Sequence, residues 1–337
     1  MKALPRIAIA FAAVIGLMAG AVSAETLQPV KIGVVRLTGS IPIYVATDKG
    51  YFRDEGLDPQ LIWFDASAAL PVAIASGDID FGSAAFTGAL FNIGAKGGLK
   101  IIASQLRDTA GYHLNALMAT KAAYGAGFTK ITDLPGKRIG MTTVGSTMHY
   151  TIALLAHKYR FDLSAVTLVP LQSLANLNAA FAGGSIDGGV IAAAAAKAFE
   201  ADGSGKVIAW TGDEAPWQLG AQITRPQLIK DHPEEVAAFI RAYRNGIGAY
   251  QKAVTFSADG KMTKGPGYDE VAAIVGKYLN ITPDKVADIF PSFDPDGALD
   301  VADVKNQVAF YQAQGMVDKA ADVDAMLDLS FLKAASK

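Results

Sequence analysis

Along the chain, apolar and polar positions form short segments that switch between two periods. Ile32–Val35 is an unbroken apolar run, Thr38-Gly39-Ser40 interrupts it, and Ile41–Lys49 follows as an amphipathic run that stops at Gly50. This order predicts a strand, a turn and a helix, with glycine as terminator. Leu61–Phe64 predicts a second strand, Ala68–Ser76 a small-residue helix stopped by Gly77, and Ile79–Phe81 a third strand. The order then recurs. Ile139–Thr142 is a strand, Gly145-Ser146-Thr147 a turn, and a helix runs to about Tyr159. Val166–Pro170, Leu174–Ala182 and Ile186–Ile191 follow as strand, helix and strand.

The recurrence reaches residue identities. Leu70–Ala85 (LPVAIASGDIDFGSAA) and Leu177–Ala192 (LNAAFAGGSIDGGVIA) agree at eight of sixteen positions and lie 107 residues apart. Lys31-Ile32-Gly33 matches Arg138-Ile139-Gly140 at the same offset. That period is too long for a solenoid repeat. Strands alternating with helices produce parallel sheets covered on both faces. The expected fold is therefore α/β and two-lobed, each lobe a mostly parallel sheet flanked by helices, with a cleft between them. Leu114–Thr120 and Leu219–Thr224 bracket the second copy and read as crossover strands. This assigns 25–115 and 220–337 to the first lobe and 116–219 to the second. The remainder reads as helical. Pro233, Glu234 and Glu235 open a long helix with proline and acids in its first turn. Thr282-Pro283-Asp284 opens another with Thr282 as cap, and a third covers about Asp300–Gln314, ended by Gly315.

Lys2 and Arg6 precede an uncharged stretch, Ile7–Gly20, and Val22-Ser23-Ala24 offers small residues for cleavage. Residues 1–24 thus read as a signal peptide cut after Ala24. The run is short for a membrane anchor and lacks a basic flank. The chain has no cysteine. That excludes disulfides, a Cys-linked lipid, thiol nucleophiles, Cys-ligated zinc and iron–sulfur clusters. A freely soluble protein of the periplasm is expected. Without Lys2 and Arg6 the chain has 28 basic and 32 acidic side chains, a net charge of −4. No basic run occurs, so nucleic acid is not an expected partner.

Ligands of open α/β sheets sit beyond the carboxyl ends of the strands. In the first copy this selects Thr38-Gly39-Ser40, Asp65-Ala66-Ser67 and Ser83-Ala84-Ala85; in the second, Val144-Gly145-Ser146-Thr147, Leu171-Gln172-Ser173 and Ile191-Ala192. Asn115, at the start of the first crossover, and Trp217, just before the return, complete the candidate set. Hydroxyls at a helix N-terminus beside free N–H groups suit a carboxylate, sulfonate or nitrate. Ser40, Ser146 and Thr147 equally fit ordinary helix caps; the same device in both lobes favours a shared anion site. Trp217 reads either as a cover over an apolar ligand or as interface packing. His149 lies near the cleft, but a lone histidine more often serves packing. His113, His149, His157 and His232 show no metal spacing, and neither a GxSxG elbow nor a Walker loop occurs. Phe293–Asp300 (FDPDGALD) departs from calcium-loop spacing. No catalytic residue, metal or cofactor is expected.

KIGVVRLTGSIPIYVATDKGYFRDEGLDPQLIWF, IASGDIDFG and ITDLPGKRIGMTTVGSTMHY resemble the solute-binding proteins of bacterial ABC importers. The nearest group is the nitrate/sulfonate/taurine type, with receptors for thiamine-pyrimidine precursors. The resemblance covers about Val30 to Tyr250. It implies a periplasmic-binding-protein fold of type II, contacts to ligand from Ser40, Ser83, Ala84, Ser146 and Thr147, and an ABC permease with its ATPase as partner. A monomer is expected. Many members carry an aromatic, acidic and proline cluster where this chain has Ala192–Ala196, which implies a roomier or more apolar wall. The expected ligand is a small organic anion, sulfonate or carboxylate, or a small heteroaromatic. The rivals are an exported enzyme on the same scaffold, with Asp65 and His149 as its candidates, and the ligand-binding subunit of a membrane sensor.

Overall fold

Two five-stranded sheets with one shared strand plan organise the chain. The computed structural model describes residues 26–256, 262–287 and 289–334, so the signal-peptide expectation for 1–24 lies outside the described residues. The strands are β1 (Gln28–Val35), β2 (Leu57–Phe64), β3 (Phe81–Ala85), β4 (Lys100–Ser104), β5 (Arg107–Asp108), β6 (Asn115–Thr120), β7 (Arg138–Met141), β8 (Thr167–Pro170), β9 (Gly188–Ala192), β10 (Gly205–Trp210), β11 (Trp217–Gln218) and β12 (Gly220–Thr224). The first sheet runs β2-β1-β3-β12-β4 and the second β8-β7-β9-β6-β10. In the first, β1 is parallel to β2 and β3, and β12 is antiparallel to β3 and β4. In the second, β7 is parallel to β8 and β9, and β6 is antiparallel to β9 and β10. Each sheet therefore receives one crossover strand, reversed, in its fourth place. The two strands are those that bracket the second copy in sequence. Between the lobes β5 and β11 pair as a short antiparallel ribbon.

The offset of 107 has a packing cause. A Cβ on Gly33 would strike Ile79 Cδ1 and Leu70 Cδ2 (2.5 Å), with Phe64 next at 3.3 Å. A Cβ on Gly140 would strike Ile186 Cδ1 (2.5 Å) and Leu177 Cδ1 (2.6 Å), with Leu171 at 3.2 Å. These are the same three positions shifted by 107. Only glycine lets the helix after each second strand lie so close on the sheet. The acid of each repeat acts alike. Asp80 Oδ2 accepts from the Lys31 N–H at 2.8 Å, and Asp187 Oδ2 accepts from the Arg138 N–H at 2.8 Å. Both carboxylates pin the entry to a third strand against the start of the first.

The central strands of each sheet are buried on both faces. In β6, Ala116 and Met118 join one cluster while Leu117 and Ala119 join the other. In β1, Val30, Ile32 and Val34 face the core under the long helix Pro233–Ala253. There Phe81 and Phe239 stack at 4.0 Å.

The structure corrects several boundaries. The third strand of the first copy is not Ile79–Phe81 but Phe81–Ala85, so Ser83 and Ala84 lie inside the strand and not in the turn beyond it. Ile79 looks like strand because it is apolar; its role is to fill the space over Gly33. The matching strand of the second copy likewise starts later, at Gly188. The helix Ile41–Asp48 buries six of its eight residues and has no solvent-facing polar stripe over most of its length. Thr282 makes no side-chain cap, and the helix it precedes spans only Pro283–Val286. No helix among the described residues is long and apolar enough to cross a membrane.

Candidate functional site

The carboxyl ends of the two sheets face a common cavity of about 240 Å³. Ser40, Ser67, Gln105 and Leu106 reach it from just beyond β1, β2 and β4, and Ser83 and Ala85 from β3 itself. From the second lobe come Thr147, Leu174, Val190 and Ala192. The reversed crossovers contribute at their amino ends, through Asn115 in β6 and Leu219 just ahead of β12. Four lining pairs stand 107 positions apart: Ser40 and Thr147, Ser67 and Leu174, Ser83 and Val190, Ala85 and Ala192.

Thr38, Gly39, Ser40, Ser67, Ser83, Asn115, Thr147, Ala192 and Trp217 all line this space. The other candidates do not. Ala84 points into the core of the first lobe. The Gly145 N–H donates to His149 Nδ1 at 3.2 Å, and its carbonyl accepts from the Gly88 N–H at 3.0 Å, joining the lobes directly. The Ser146 hydroxyl is buried without a partner, outside the lining. Ser173 caps the helix Leu174–Ala182, accepting from the Asn176 N–H at 3.1 Å. Ser40 and Ser146 make no side-chain cap for the helices they precede. His149 is buried, holds Gly145 and meets Phe310 edge-on, and burial lowers its pKa. It packs and does not face the cavity.

Several lining groups hold a spare donor. Ser83 Oγ accepts from Gln105 Nε2 at 2.9 Å and from Gln222 Nε2 at 3.3 Å, which leaves its own hydrogen free to donate. Ser67 Oγ accepts from the Ala85 N–H at 2.6 Å and is in the same position. Trp217 is different: it is 1% exposed, and its Nε1 is buried without a partner and closed off from the free space of the cavity. An indole nitrogen donates only, and a buried orphan donor costs ~1–3 kcal/mol unless an acceptor arrives.

Charge in the lining is one-sided. Arg36 is the lining residue that carries a charge; its guanidinium lies 3.9 Å from the centre of the Trp63 ring and donates to the Tyr278 carbonyl at 3.0 Å. Arg107 turns to Asp300 at 3.2 Å, and Asp65 is exposed outside the lining. No carboxylate lines the cavity among the described residues.

Sequence reasoning missed Gln105, Met148, Thr151 and the apolar cover Leu279, Ile281 and Ile289. Gln105 follows β4, so reading Lys100–Ser104 as a strand finds it by the same rule. Nothing local marks the cover, which arrives from the far end of the chain. Behind Asn115 sits Asp108, fully buried in the interlobe ribbon and bonded by the Thr211 hydroxyl at 2.5 Å. Burial pushes its pKa up to about 6. His232, Glu234 and Glu235 bring ligand atoms within 4.8 Å of one another at the surface, away from the cavity.

The taurine-binding periplasmic protein of Escherichia coli (strain K12) is 30% identical over 221 residues, 64% of this chain and 65% of that protein. The match thus spans just under two thirds of the relative. The structure of the alkanesulfonate-binding protein SsuA from Xanthomonas axonopodis pv. citri bound to MOPS has a TM-score of 0.69 at 18% identity, covering 90% of this chain and 98% of that one. The periplasmic nitrate-binding protein NrtA from Synechocystis PCC 6803 has a TM-score of 0.68 at 13% identity, covering 92% and 88%. These two share the fold, a periplasmic-binding-protein fold of two α/β lobes. The NMT1/THI5 like family model matches residues 38–253, well over half of the sequence, and the chain accordingly belongs to that family.

Proposed function

We propose that this chain is the solute-capturing component of an ABC importer and that its lobes, 25–115 with 220–337 and 116–219, close on a small organic anion in the periplasm. The observation that carries this reading is the acid-free lining with the hydroxyls of Ser40, Ser67, Ser83 and Thr147 and, among the described residues, the single cation Arg36. An anionic oxygen there accepts the hydroxyl hydrogens of Ser67 and Ser83, replacing its water shell. Closure follows if the ligand binds the closed form better than the open one. The relatives named for taurine, alkanesulfonate and nitrate all take oxyanions, which agrees with this chemistry. An enzyme needs a base or a nucleophile pair at the ligand, and no histidine, lysine or carboxylate lines the cavity among the described residues.

The test is a thermal-shift screen with sulfonates, nitrate, carboxylates and uncharged pyrimidines, followed by calorimetry. A ligand at a hundred times its Kd adds about 2.7 kcal/mol, or roughly 5–10 °C for a protein of this size. One class of anion should give that shift and be recovered unchanged. Ser67→Ala deletes a donor in the lining, and should weaken binding about fivefold. A shift with uncharged pyrimidines alone, or turnover of the ligand, overturns the reading.

A further inference from the structure

The two walls of the cavity are unlike at two of the four pairs of positions the repeat makes equivalent. Where the first lobe presents the hydroxyls of Ser67 and Ser83, the second presents Leu174 and Val190. Beyond Val190 the wall continues as Ala192, Ala193 and Ala194, and Met148 adds a thioether. Since the sheets share one strand plan, these apolar groups stand on the lobe opposite the serines. A ligand whose anionic end lies on the serines therefore turns its other end to a wall without charge.

On the reading of the cavity as an anion site, we infer that Leu174 and the Ala192–Ala194 wall determine specificity: they admit anions whose far end is uncharged and exclude those whose far end is an ammonium. An ammonium brings three donors and a charge, and in apolar surroundings it needs a counter-charge. Asn115 and Gln105 supply amide oxygens, and Thr147 and Thr151 hydroxyls, but none of them a charge. The buried carboxylate of Asp108 lies behind Asn115, held by Thr211, and is not part of the lining. Arg36, the charged residue that does line the space, repels a second cation. A methyl group in place of the ammonium loses nothing and gains contact with Leu174 and Val190.

The experiment is calorimetry of the mature chain with two sulfonates of equal length, butane-1-sulfonate and 3-aminopropane-1-sulfonate, and with the carboxylate pair pentanoate and 4-aminobutanoate. Within the pair that binds, the uncharged tail should be favoured by on the order of 100-fold. Binding of the ammonium member within about threefold of its partner overturns the inference while leaving the anion reading intact. Failure of all four, with a shift from uncharged pyrimidines instead, overturns the anion reading itself and the inference with it. Ala194→Glu and Leu174→Glu place a carboxylate in the first turn of the helices Ala193–Ala201 and Leu174–Ala182, where the helix dipole favours an acid. Circular dichroism first confirms that each is folded. Either variant should narrow the preference by about tenfold or more, and an unchanged preference in both, folded, removes these residues from the specificity assignment.

Discussion

The first and second copies of the repeat agree in the sheet and differ at the rim. Inside, Gly33 and Gly140 meet the same three neighbours, and Asp80 and Asp187 hold the same N–H at 2.8 Å. At the cavity, Ser67 and Ser83 face Leu174 and Val190. Positions that the fold cannot vary have stayed alike, because a close helix-to-sheet approach and a carboxylate that holds a strand's first N–H tolerate few substitutes. Two of the wall positions, by contrast, carry different chemistry in each lobe. The scaffold thus builds one cleft from two similar halves and sets the hydroxyls of Ser67 and Ser83 against Leu174 and Val190.

The largest test of this contrast gives the first lobe the second lobe's residue. Ser83→Val should destabilise by about 3 kcal/mol, since Gln105 and Gln222 then lose their shared acceptor in a buried place. Urea unfolding measures it, and an effect below about 1 kcal/mol would show that these amides find other partners. The agreement inside the sheets is tested next. Gly33→Ala and Gly140→Ala should each cost about 2 kcal/mol by overpacking, and the two values should match. A large difference would mean that one lobe yields where the other does not.

The smallest test addresses the ribbon between the copies. Asp108 has its pKa raised to about 6 by burial, above its unfolded value near 4. The folded state then holds more protons than the unfolded one between about pH 4 and 6. Its contribution to stability is full below that window and is lost as the pH rises through it. Asp108→Asn should flatten this slope and raise stability at pH 7 by about 1–2 kcal/mol. A variant with the wild-type slope assigns the pH dependence elsewhere.

Much of the architecture was legible because the repeat is written in residues the sheet demands. KIG, RIG and the two SGDID-like segments mark strand starts and their pinning acids, so the two lobes and both crossovers follow from one offset. β3 was misplaced because its residues Gly82, Ser83, Ala84 and Ala85 are small. A strand buried on both faces under close helices need not be rich in large apolar residues, so its hydropathy is faint. For the site, the strand-end rule found the hydroxyls but could not show which way each points. Ala84 and Ser83 are neighbours, yet strand alternation sends one to the core and the other to the cavity. Ser146 is silent in the lining while Thr147, one residue on, enters it. The cover from Leu279, Ile281 and Ile289 depends on how the chain returns, and sequence spacing does not encode that.

The insertion of β12 between β3 and β4 governs the order of assembly. β6 to β10 lie in one continuous stretch, Asn115–Trp210, so the second sheet has all its strands as soon as that stretch exists. The first sheet does not. β3 and β4 are not neighbours, and β12 alone bridges them, with Ser83 opposite Gln222 across 139 positions of chain. Closing so long a loop is slow, and pairing that spans it comes late. The lobe that begins first in sequence is thus the one whose sheet receives its last strand only after the whole second sheet has been synthesised.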